Sequence, residues 1–115
     1  MKLLAAGALM LALTNPASAQ TWVDQANETC TWVTKFAGLA MIYRQTGTEF
    51  VDAMKSADGL DLYEAMIYDA YQWDVYSTSE AKTAAIEKFK KSISDMCWET
   101  HFDNKENLKQ QSGNL

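Results

Sequence analysis

The sequence predicts an all-α fold, a small bundle of about four helices, two long and two shorter, with one disulfide joining the first and last. Three observations carry this. Apolar residues recur at three- and four-residue steps along most of the chain, and no stretch alternates with the period of two that strands need. Glycines and cap-forming residues punctuate the helical runs. Cys30 and Cys97, the only cysteines, fall in the first and last of those runs.

Residues 1–19 read as a leader rather than as part of the fold. Lys2 gives a positive start, residues 3–13 are an apolar run too short to span a bilayer, and Ala17, Ser18 and Ala19 form a small-residue cleavage site. Export and cutting after Ala19 are expected, which places the mature chain in the periplasm or outside the cell. Loss of Lys2 moves the formal charge from −5 to −6.

Residues 24–46 form the first expected helix, capped by Thr21 or Asp24, with Cys30, Val33, Ala37 and Ala40 as its inner stripe and Phe36 and Tyr43 beside them. The small residues Ala37, Gly38 and Ala40 allow close approach of another helix. Gly47 stands at the C-cap, where glycine adopts the left-handed conformation without steric cost. Thr48 then caps a short helix over residues 49–57 with Phe50, Val51 and Met54 as apolar positions, and Asp58-Gly59 ends it. A third helix spans residues 60–73, with Tyr63, Ile67, Ala70 and Tyr71 on one side.

The longest helix covers residues 77–102. Ser77 and Glu80 have the spacing of a capping box, and Ile86, Phe89, Ile93, Met96 and Cys97 share its apolar face. Lys82, Lys88, Lys90, Lys91 and Asp95 are expected to meet water. The polar tail at 103–115 is expected to be disordered, so residues 20–102 make the single domain. A domain of this size is only marginally stable. Pairing Cys30 with Cys97 closes most of it into one loop, worth about 4 kcal/mol in the chain-entropy picture.

The charge balance, 15 acidic residues against 10 basic, disfavours nucleic acid and anionic membrane surfaces as partners. Arg44 is the only arginine, and a carboxylate from the third helix, Glu64 or Asp69, is its expected partner in a structural ion pair; an anionic ligand is the alternative. His101 lies one turn after Cys97 with Glu99 and Asp103 nearby, but a disulfide sulfur is not a thiolate ligand, so no metal and no cofactor are expected. One histidine and no nucleophile elbow leave no catalytic residues to name, and an enzyme is not expected. Tyr63, Tyr68, Tyr71, Trp73 and Tyr76 form an aromatic cluster that either packs the corner between two helices or presents an interaction surface.

The run from Cys30 through Arg44-Gln45-Thr46-Gly47, Glu64 to Tyr71, Tyr76 to Lys82, Ile86, Phe89 and Cys97 resembles a family of short exported helical proteins of proteobacteria and their phages. That resemblance spans most of the folded part. Asp74 stands where family members carry a proline. The family brings no established activity; the resemblance implies a periplasmic helical fold with one disulfide. Size, export, stapling and aromatic content point to a protein-binding module whose partner is a periplasmic or envelope protein, such as an inhibitor or modulator of an envelope or lysis component. A toxin-immunity protein and an acid-stress chaperone are the alternatives.

Overall fold

The computed structural model describes residues 21–113, with side chains placed through Asn104. The expected leader lies outside the described residues. Four helices follow in order: α1 (Trp22–Gln45), α2 (Phe50–Lys55), α3 (Asp61–Tyr71) and α4 (Ser79–Gly113). No strand occurs among the described residues. Helix α1 is the common support: α4 and α3 both pack along it, and α3 and α4 scarcely touch each other.

Small residues make the α1–α4 contact close. Ala26, Cys30, Ala37, Gly38 and Ala40 are all buried on α1, and Ala85, Phe89 and Ile93 are buried on α4. A Cβ placed on Gly38 would stand 3.1 Å from Lys90 Cδ. The aliphatic stem of Lys90 therefore lies across the missing side chain, and its ammonium reaches out towards Glu87 at 3.8 Å. Cys30 and Cys97 are disulfide-bonded with their Cα atoms 5.7 Å apart, closing a loop of 67 residues. Ala37, Ala40 and Met41 on α1 join Ala53, Ala57, Tyr63, Met66, Ile67 and Ala70 in one core with the α4 residues.

Each helix end has an identifiable cause. The Thr21 hydroxyl accepts from the Asp24 N–H at 3.3 Å and caps α1. At its other end the Thr48 N–H donates to the Tyr43 carbonyl and the Gly47 N–H to that of Arg44, with Gly47 at φ +81°, a Schellman closure. Thr48 belongs to that closure and does not cap α2 as its position suggested; the helix starts one residue later. Glu49 occupies the cap without a side-chain bond. On α2 the buried residue is Ala53, while Val51 is 62% exposed and Phe50 lies at the surface. The α4 cap is Thr78, whose hydroxyl accepts from the Ala81 N–H at 3.1 Å, rather than the Ser77–Glu80 box. Helix α4 also runs on through Gly113, beyond Phe102, where the polar composition suggested disorder.

A polar clamp holds the α3–α4 connector. Gln45 is buried at 2% exposure, and its amide donates to the Asp74 carbonyl at 2.7 Å while accepting from the Tyr76 N–H at 3.0 Å. Lys82 Nζ, expected in water, donates to the Gln45 carbonyl at 2.8 Å and so satisfies the last turn of α1. Truncating Gln45 strands two connector backbone groups. Gln45→Ala is expected to lower the stability of the oxidised protein by about 2–3 kcal/mol in urea unfolding, and Gln45→Glu to recover only part, because a carboxylate cannot donate to Asp74.

Candidate functional site

Because α3 and α4 lie on α1 without closing on each other, a groove of about 330 Å³ opens between them beside the disulfide. Helix α3 contributes Leu62, Ala65, Met66 and Asp69, residues spaced along one face. Helix α4 contributes Ile93, Met96, Cys97, Thr100 and His101, and α1 contributes Thr29 and Val33. Met66 and Ile93 are buried, whereas Leu62 is 59% and Met96 is 50% exposed. Apolar side chains therefore form both the groove and its rims, and Asp69 is the one acidic residue on it. Met96 belongs to the apolar face of α4 as its spacing suggested, but that face looks into the groove rather than into a closed core.

The disulfide borders this groove unequally. Cys97 is half-buried and lines it, while Cys30 is buried and lines a separate recess with Asn27, Thr31, Lys35, Lys90 and Ser94. His101 follows Cys97 by one turn, and its ring nitrogen and the two sulfurs lie within 4.8 Å of one another. The bonded sulfurs carry no thiolate charge, so the oxidised trio offers a metal only the imidazole.

Arg44 does not pair with Glu64 or Asp69. Its Nε donates to the Trp73 carbonyl at 2.8 Å, and its guanidinium lies over the Tyr71 ring at 5.3 Å. The physical reason lies in the end of α3, where carbonyls run out of helical partners and draw a cation. Asp69 instead lines the groove. The ion pairs among the described residues are lysine–carboxylate pairs within one helix, exposed except for the half-buried Lys90, and these contribute little.

The aromatic cluster divides. Tyr63 is buried and stacks on Phe36 at 4.7 Å. Tyr71 donates its hydroxyl to the Thr48 carbonyl at 2.6 Å and meets Phe50 edge-on, and Trp73 meets Phe89 edge-on at 5.7 Å. Tyr63 thus packs α3 on α1, Tyr71 ties α3 to the start of α2, and Trp73 ties the end of α3 to α4. Tyr68 and Tyr76 are exposed. No single aromatic surface therefore exists among these five residues.

The groove itself went unread in the sequence, although a signal for it was present. Leu62, Ala65 and Met66 make a second apolar stripe on α3 beside Tyr63, Ile67 and Ala70, and a helix apolar on two faces needs two neighbours. Gln45 carried no such signal. Compared with protein-family models, with curated proteins and with solved structures, the chain matches none.

Burial raises the hydroxyl pKa of Tyr63 and of Tyr71, against which the Arg44 charge acts at Tyr71. A tyrosine raised in the folded state gives stability that is complete below its unfolded pKa of about 10 and is lost as pH rises through the folded value. The unfolding midpoint is expected to hold level from about pH 8 to 10 and to fall above that. A Tyr63→Phe/Tyr71→Phe variant, less stable at neutral pH, should show a shallower alkaline fall in thermal melts. Parallel curves for the two proteins would assign the fall to other groups.

Proposed function

We propose that this chain is an exported protein-binding module, an inhibitor or modulator of an envelope or lysis component, and that the α3–α4 groove receives an amphipathic helix of its partner. One observation carries the reading: an apolar groove whose rims, Leu62 and Met96, stay exposed in the folded chain. Exposed apolar rims over a buried apolar floor suit a helix that presents residues at i, i+3 and i+7. Asp69 on the groove and a formal charge of −5 favour a partner segment that carries lysine or arginine beside its apolar stripe.

Export is supported by the leader-like residues 1–19 and by the Cys30–Cys97 bond, since disulfides persist in oxidising compartments. Among the described residues, no helix is long and apolar enough to cross a membrane. A toxin-immunity role uses the same groove and differs in requiring one very tight partner.

The test immobilises the oxidised chain beside its Leu62→Glu and Met96→Glu variants and captures proteins from a bacterial envelope extract. Both positions are exposed, so the variants should melt with the parent. A saturable partner held by the parent and weakened about 30-fold or more by each variant supports the reading, as expected for a binding hot spot. A partner held equally by all three proteins removes the groove from the interface. Many clients held only in acid would replace the reading with the chaperone.

A further inference from the structure

We propose that, once its disulfide is reduced, the chain holds one zinc ion on Cys30, Cys97 and His101, so that a coordinate link between α1 and α4 takes the place of the covalent one. The inference goes beyond the binding role; Cys97 and His101 also line the groove, but it rests on the ligand trio and not on what the groove receives. Two sulfurs and an imidazole nitrogen, from two helices, already lie within 4.8 Å of one another. Around a tetrahedral zinc with Zn–S of about 2.3 Å and Zn–N of about 2.0 Å, such atoms lie roughly 3.5–3.8 Å apart. Parting the sulfurs to that separation requires mainly a rotation of Cys97, which borders the groove and is half-buried.

The groove side of the trio suits a cation: neither lysine nor arginine lines it and Asp69 is its acidic residue, whereas Lys35 and Lys90 line the recess on the Cys30 side. Cys97 and His101 are one turn apart on α4, and a relation of i to i+4 places both ligands on one helix face. Cys30 is buried on α1, so all three ligands sit on backbone that the helices hold. Two thiolates and one imidazole form a donor set that prefers zinc over hard cations, with the fourth position left for water.

Reduction needs a dithiol. One of its thiolates attacks Cys97 Sγ, the partly exposed sulfur; the S–S bond breaks and Cys30 leaves as a thiolate and takes up a proton. The second thiol of the reductant then loses its proton and displaces Cys97, which leaves as a thiolate and takes up a proton, and the reductant departs as its cyclic disulfide. Zinc binding afterwards releases the protons of the two cysteine thiols.

The experiment compares the full chain, oxidised and dithiol-reduced, by thermal melting with zinc and by absorbance with cobalt as a spectroscopic probe. The reduced chain is expected to bind one cobalt with thiolate-to-metal charge-transfer bands. Free zinc at a hundredfold excess over its Kd should raise the reduced midpoint by about 10 °C, and the oxidised chain should show neither effect. His101→Asn should melt normally when oxidised and bind zinc at least about tenfold more weakly when reduced. The proposal fails if zinc leaves the reduced midpoint unchanged, including the case in which the reduced chain stays unfolded with zinc present. It fails equally if His101→Asn binds as tightly as the parent, since the two sulfurs alone would then account for the metal.

Discussion

The Cys30–Cys97 bond fixes where α4 can lie along α1, and the remaining structure is arranged around that contact. Two long helices joined at one point could still pivot. Ala26 and Ala37 on α1 and Ala85 on α4 are all buried, and Lys90 lays its stem across Gly38. Residues that small leave neighbouring backbones near one another, and small changes in crossing angle then cost packing. The covalent link and the small-residue seam thus act together, one limiting the unfolded ensemble and the other selecting one folded geometry.

Polar side chains settle what the seam leaves undecided. The connector between α3 and α4 has no helical ladder of its own, yet the Gln45 amide pairs with it at Asp74 and Tyr76 much as a neighbouring strand would. Arg44 and Lys82 each bring a cation to backbone carbonyls at the end of a helix, α3 and α1 respectively. No described buried side-chain nitrogen or oxygen lacks a hydrogen-bond partner. Such a clamp gives the corner one conformation, which in turn sets how widely α3 stands from α4 and so the width of the groove.

Much of this architecture was legible in the residues, and the parts that were not share a cause. Helical spacing located four helices, Gly47 located the first sharp stop, and the cysteine pair located the long-range contact. Caps were harder to place: in the Ser77-Thr78-Ser79 run three neighbours have similar hydroxyls, and the path of the connector selects Thr78. By residue type Arg44 points to acidic side chains, but its acceptor is a backbone carbonyl, which carries no residue signature. The same holds for Gln45. The groove residues were visible as apolar positions; that no helix covers Leu62 and Met96 depends on how α3 sits on α1, which spacing alone does not encode.

The alanine-rich seam has a further consequence for the order of synthesis. Helix α1 is made first and the residues that cover it on α4 are made last, separated by several seconds at roughly 5–20 residues per second. During that interval its inner face waits uncovered. Along the seam itself Ala26, Ala37, Gly38 and Ala40 present less apolar area than leucines would, and most of the apolar area left waiting belongs to Val33, Phe36 and Met41 beside them. The same small side chains that let two helices lie close at the end therefore lower the apolar area shown along that seam until its partner arrives.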